Sequence, residues 1–230
     1  DRAEVIGRAQ APTTVNDNML NGLLAALDRL TLRGRKPDSA TLRQARMLAS
    51  SSAAGGLRIV AVGLVPDLTV EAARKAALGA GAKVVGSYSF ELDEQALDEI
   101  ERSACDILLL VGGIDGGNKD VILHNARMLA TRQLDMPFIV AGNRSAAEQV
   151  TSILRGSGKQ VVRTSNVLPE LDRLVVEPAR ASIRELFISN IVRAKGLEQA
   201  QEFLGNILMP TPMATLKAAF LLAQGHGSDV

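Results

Sequence analysis

The segment Gly112-Gly113-Ile114-Asp115-Gly116-Gly117-Asn118-Lys119 is the part of this chain whose residue types and spacing could do chemistry. Glycines leave the backbone almost bare, so it can turn sharply or lie close against a ligand. The segment follows the apolar run Asp106 to Val111 and leads into Asp120 to Ala126, where apolar residues recur at helical spacing. The pattern predicts a buried strand, a glycine-rich turn and a helix start. A helix N-terminus carries unpaired N–H groups and partial positive charge, so a small anion could sit there. Asp115 and Asn118 are also good helix-capping types. Ligand contact and close strand–helix packing are both open readings of this turn.

The elements that must position the turn can be read outward from it. Arg58 to Val65, Lys83 to Tyr88, Asp106 to Val111, Pro137 to Ala141 and Gln160 to Thr164 read as five short strands. Helical spacing fills the gaps from Thr69 to Leu78, Leu92 to Ala104, Asn118 to Thr131 and Ser145 to Leu154. The first, third and fourth strands are continuously apolar, as strands buried on both faces are. Strands alternating with helices predict an α/β fold, a five-stranded doubly wound parallel sheet of flavodoxin-like type.

Residues 1–50 read as a helical leader. It opens with a short possible strand, Ala3 to Ala9, and has a helix starting near Asn16 or Asp17 and a second from Ser39 to Ala49. Residues 51–168 are the α/β domain, and 169–230 a helical C-terminal appendage. The appendage has a long helix over Ala179 to Ala194, a short one over Leu197 to Leu204, an extended turn at Pro210-Thr211-Pro212 and a helix over Met213 to Ala223. The basic stretch Arg29 to Lys36 reads as a solvated linker.

In open α/β sheets, ligands bind beyond the carboxyl ends of the strands, where strand order reverses. With a flavodoxin-like order, the loops after the first, third and fourth strands frame that crevice. They bring Asp67, Thr69, Asp115, Asn118, Asn143 and Arg144 together, with Gly112, Gly113, Gly116, Gly117 and Lys119 completing the edge. For each polar residue, helix capping competes with ligand binding. The familiar signatures are missing. The first turn is Gly63-Leu64-Val65-Pro66, without G-x-G-x-x-G; Asn118 stands where a phosphate loop needs glycine; no G-x-S-x-G occurs.

Composition narrows the classes. Of 230 residues, 47% are hydrophobic and 22% charged, with a net charge of +1. That describes a soluble globular protein with no overall field to recruit nucleic acid or an anionic membrane. Aromatics are 3% with no Trp, which removes the stacking platforms of a single-strand binder. The lone Cys105 cannot form an intramolecular disulfide and reads as a small buried hydrophobe. His124 and His226 are too few for a histidine-based metal site. With no signal peptide and no apolar run of membrane-spanning length, the expected location is the cytoplasm. The sequence has no initiator Met and ends on the turn-like stretch Gly225 to Val230, so it reads as a fragment of something longer.

Several blocks together carry a resemblance. They are Ala11 to Val15, Ser51 to Leu57, Val62 to Thr69, Gly112 to Lys119, His124-Asn125-Ala126, Ala141-Gly142-Asn143, Ile183 to Phe187, Ala194 to Leu197 and Met209 to Pro212. In that order they resemble the glutamate mutase accessory family MutL, which is unrelated to the mismatch-repair protein of the same name. The resemblance implies an actin/Hsp70-like ATPase that acts as a reactivating chaperone, exchanging inactivated cobalamin from an adenosylcobalamin-dependent mutase. It implies mutase subunits as partners, and ATP with Mg as cofactors of the full-length protein. The family's two phosphate loops, Asp-x-Gly-Ser/Thr and Asp-x-Gly-Gly-x-Thr-Thr-Asp, do not occur here. The resemblance therefore sets this chain between them, makes residues 1–50 part of the ATPase core, and carries over no ATP-binding residue. This segment is expected to dock a partner and not to bind or hydrolyse ATP by itself. The competing reading is an enzyme or sensor domain with a small anion or nucleotide at the Gly112–Asn118 turn.

Overall fold

A computed structural model describes residues 4–12, 14, 17–51, 57–66, 70–80, 82–194 and 208–224. In chain order the elements are α1 (Met19–Asp28), α2 (Ser39–Gln44), β1 (Ala49–Ser51), β2 (Leu57–Gly63), α3 (Glu71–Gly79), β3 (Ala82–Ser89) and α4 (Glu94–Arg102). They continue with β4 (Ile107–Leu110), α5 (Asp120–Ala130), β5 (Phe138–Val140), α6 (Arg144–Gly156), β6 (Val161–Arg163), α7 (Glu177–Ala194), β7 (Leu208–Pro210) and α8 (Thr211–Gln224). The chain divides into two compact units, Asp1–Ser51 with Ile188–Met209 and Ser52–Phe187 with Pro210–Val230.

The second unit holds a five-stranded sheet in the order β3-β2-β4-β5-β6, with every neighbouring pair parallel. This is the flavodoxin-like doubly wound order that the strand–helix alternation predicts. The chain reverses direction across the sheet between β2 and β4, because β3 is added on one side and β4 on the other. The central strands form because Ile59 to Val62, Ile107 to Leu110 and Phe138 to Val140 have apolar side chains for both faces, and all are buried. On one face Val60, Val62, Leu108, Leu110, Phe138 and Val140 meet Leu97 and Ile100 of α4, Ile122 and Leu129 of α5, and Val150 and Leu154 of α6. Each fully buried side chain of this size contributes about 1.5–3 kcal/mol relative to exposure. At the edge, β6 runs buried, half-buried, exposed, so Arg163 ends the strand facing outward.

Helix starts follow local chemistry. Asp93 Oδ1 accepts the Ala96 N–H at 2.8 Å to cap α4, and Asp38 Oδ1 accepts the Thr41 N–H at 2.7 Å to cap α2. In the first unit, Asn18 Oδ1 caps α1 through the Leu20 N–H at 2.9 Å.

Several expectations need correcting. Among Glu4 to Ala9 there is no strand. The helix expected over Ser39 to Ala49 stops at Gln44, because Ala45 turns to extended backbone (φ −71, ψ 137). Ala49–Ser51 instead pairs with Leu208–Pro210 in a two-stranded sheet. Pro210-Thr211-Pro212 is not an extended turn. Pro210 ends β7, α8 begins at Thr211, and Pro212 sits in the first helical turn, where its missing N–H costs nothing. The C-terminal segment is thus not all helical. The basic stretch is a tight reversal, bridged between Leu32 and Arg35, with Arg33 (φ 49) and Gly34 (φ 81) at its tip. Arg33 there pairs with Glu4 at 3.1 Å, and Lys36 pairs with Asp28. The short helix expected over Leu197 to Leu204 lies outside the described residues.

Candidate functional site

The glycine-rich turn joins β4 to α5 at the carboxyl edge of the sheet, and its shape is set largely by two buried asparagines. Asn143, directly after β5 and 0% exposed, holds four groups at once. Its Oδ1 accepts the N–H of Ser145 at 2.9 Å and of Gly116 at 3.2 Å. Its Nδ2 donates to the carbonyls of Gly117 and Asn118, both at 3.0 Å. Thus one side chain caps α6 and clamps the turn. Asn166, after β6, donates from Nδ2 to the Gly113 carbonyl at 3.0 Å and to Asp115 Oδ1 at 2.9 Å, and its Oδ1 accepts the Leu168 N–H at 3.1 Å.

Asp115 caps a helix, but not its own. Its Oδ1 accepts the Arg144 N–H at 2.8 Å, in the first turn of α6, while its own N–H donates to the Pro169 carbonyl at 2.9 Å. The loops after β4, β5 and β6 are therefore tied into one platform. Asn118 does cap α5, with Oδ1 accepting the Val121 N–H at 3.3 Å, and Lys119 stands exposed at the helix start.

The glycines follow from this packing. At Gly113 (φ +71) a Cβ would lie 2.5 Å from the Asn118 carbonyl oxygen. At Gly142 a Cβ would stand 2.9 Å from both the backbone N and O of Gly112, so two backbones touch where the turns after β4 and β5 meet. The Gly112 carbonyl in turn accepts the Asn143 N–H at 2.9 Å. Close approach of chain to chain, the packing reading, is what these positions display. The N–H groups of Asp115, Gly116 and Gly117 are all engaged within the fold.

Of the residues expected to meet, Asp115, Asn118, Asn143 and Arg144 do cluster, together with Gly112, Gly113, Gly116, Gly117 and Lys119 on the same loop. Asp67 and Thr69 lie outside the described residues. The expected Thr69 cap does too, and α3 follows Val70, which makes no side-chain cap. A cleft of about 610 Å³ opens one strand further along, between the loops after β4, β5 and β6. Asp115 and Arg144 reach it, but Arg163, Thr164, Ser165, Asn166 and Arg173 complete it. The loop after β6 was not among those expected to frame the crevice. The available signal was an Asn two residues before Leu168-Pro169, the pattern of an Asx turn that folds a loop back on itself.

Behind the loop after β3 a third buried amide repeats the device. Asn125 Nδ2 donates to the Phe90 carbonyl at 2.9 Å and its Oδ1 accepts the Leu92 N–H at 2.8 Å, holding Phe90 at φ 65. His124 Nε2 lies 3.1 Å from the Leu92 carbonyl oxygen. Burial pushes the Cys105 thiol above its ordinary value, which suits an inert core position and not a nucleophile. Among the described residues no group of His, Cys, Asp and Glu could hold a metal ion, and no helix is long and apolar enough to cross a membrane.

The solved short-chain flavodoxin associated with a PDU bacterial microcompartment is 14% identical, covers 59% of this chain and 99% of its own, and superposes with a TM-score of 0.40. Protein MutL of Clostridium tetanomorphum is 46% identical over 227 residues, which is 98% of this chain and 48% of that protein. The chain therefore spans about half the length of that relative. The family profile described as MutL protein matches residues 1–230. With the whole sequence covered by the profile and nearly all of it by the relative, the chain belongs to the MutL family.

Proposed function

We propose that this chain is the partner-docking segment of an ATP-dependent reactivating chaperone serving an adenosylcobalamin-dependent glutamate mutase. Family membership supports the accessory role, through the resemblance set out above. The observation that carries the docking reading is the self-contained polar network at the carboxyl edge. Asn143, Asn166 and Asp115 direct their hydrogen bonds into the fold and fix three loops as one rigid surface. A preformed surface suits recognition of a folded partner, since little loop entropy is lost on binding. A phosphate cradle at the turn would instead need N–H groups converging on open space.

The mutase's own cobalamin domain is also flavodoxin-like, so docking where that domain docks is the geometry favoured here, by analogy of fold class. ATP and Mg would be held by the family's phosphate loops, whose motifs this sequence lacks. The test is capture of mutase subunits by this chain, with and without adenosylcobalamin. Association that the isolated cobalamin domain competes away is the expected result. Absence of association in both cofactor states overturns the docking reading. Protection against thermal unfolding by ATP or ADP that is lost when Gly116 or Asn118 is replaced would favour a nucleotide site at the turn instead.

A further inference from the structure

The cleft lies between the same three loops as the docking platform, but its guanidinium groups take no part in the network that fixes those loops. Arg144 enters it from the first residue of α6, Arg163 from the end of β6, and Arg173 from a turn closed by the Arg173 N–H to the Glu170 carbonyl at 3.1 Å. The lining itself sets one carboxylate, Asp115, against these three guanidinium groups. Asp115 Oδ1 accepts both the Arg144 N–H and the Asn166 amide, which anchors this carboxylate in the wall of the cleft. Glu148 and Glu170 bond Arg163 at 2.8 Å and Arg173 at 3.2 Å, but their side chains are 88% and 69% exposed. Pairs this hydrated hold their arginines weakly, and each guanidinium keeps further N–H donors. The Arg144 guanidinium has no hydrogen bond or ion pair among the described residues. Thr164 and Ser165 add hydroxyls to the lining.

We propose that this cleft binds a small molecule carrying a phosphate monoester. A monoester carries about −1.5 to −2 charges near neutrality and three acceptor oxygens, so it can displace the singly charged, exposed Glu148 and Glu170 from their arginines. A monocarboxylate offers no more charge or acceptors than those glutamates already do. The forked guanidinium presents paired donors that suit phosphate oxygens. A cleft of about 610 Å³ is within the size range of small-molecule sites. The site does not depend on the docking reading, so either can fail without the other.

Calorimetric titration of the full chain with O-phosphoserine, inorganic phosphate and glutarate tests this. O-phosphoserine is expected to bind with a Kd in the millimolar range or tighter, and to weaken as salt is raised. Because the arginines are exposed, R144A and R163A should each weaken it severalfold, and the double variant about tenfold or more. Arg127→Ala, exposed on α5 and outside the cleft, should leave it unchanged. All three residues are exposed, so the variants are expected to fold, which circular dichroism checks. No heat of binding at roughly 10 mM ligand overturns the site. Affinity unaltered in the R144A/R163A double variant also overturns it, and glutarate binding more tightly than O-phosphoserine overturns the phosphate assignment.

Discussion

Replacing Asn143 with Ala is the sharpest test of the claim that one buried amide builds the platform. The substitution removes two bonds from its Oδ1, to Ser145 and Gly116 at 2.9 and 3.2 Å, and two from its Nδ2, to Gly117 and Asn118, both at 3.0 Å. At about 0.5–1.5 kcal/mol net per bond the four sum to roughly 2–6 kcal/mol. The freed Gly117 and Asn118 carbonyls stand in half-buried or exposed residues, where water can replace the lost donor. The lower half of the range therefore applies, near 3 kcal/mol, of which loss of the α6 cap supplies about 1 kcal/mol. With a urea m-value near 3 kcal/mol/M for a chain of this size, the midpoint falls by roughly 1 M. Asn118→Ala, removing one exposed bond of 3.3 Å, serves as the comparison and should cost about 0.5 kcal/mol. Asn143→Asp keeps the acceptor for Ser145 but turns an oxygen toward two carbonyls, so it should not rescue. Because the chain has two units, native-state hydrogen exchange should accompany the denaturant curves, with protection lost first at the Gly116 and Ser145 amides. A cost for Asn143→Ala no larger than for Asn118→Ala, or unchanged exchange at those amides, would refute the reasoning.

The glycines allow a paired experiment. Gly113→Ala meets both a positive φ and the Asn118 carbonyl oxygen at 2.5 Å, whereas Gly116→Ala meets a similar φ (+78) in open space. The second should cost about 1 kcal/mol and the first distinctly more, read from thermal unfolding; equal costs would remove close packing as the reason for Gly113. The pH dependence of stability should show an alkaline loss. Burial raises the Cys105 thiol above 9.0, and burial followed by the nearby Glu99 raises the Tyr88 hydroxyl above 10.0. A folded pKa above the unfolded one means stability that is complete below the unfolded value and lost as pH rises through the folded one. Denaturant midpoints should therefore decline above the ordinary thiol range. Alkylation of Cys105 should track global unfolding, and alkylation at the rate of a free thiol in the folded protein would contradict the buried assignment.

What the sequence made legible divides along the range of the interactions involved. The sheet was readable because Ile59 to Val62, Ile107 to Leu110 and Phe138 to Val140 are apolar on both faces, and that is a local property. The strand Ala49–Ser51 was not readable, because three residues carry no period and its partner, Leu208–Pro210, is far along the chain. The site divides in the same way. Asn118 caps its own helix, as its type and position imply. Asp115 bonds residues 29 and 51 positions away, so its acceptor role was visible and its partners were not. Arg163 and Arg173 were missed because neither sits in a motif; Arg163 ends β6, and only the folding of the loop after it brings Arg173 alongside. The glycine block shows why identification and mechanism can separate. Its residues are dictated by contacts of backbone with backbone, at Gly113 against Asn118 and at Gly142 against Gly112. Such contacts admit almost no other side chain, so the block is distinctive in sequence whether or not a ligand ever touches it. A cleft lined by exposed arginines imposes no such demand on its neighbours. Its chemistry is correspondingly faint in the sequence and plain only once the three loops are folded together.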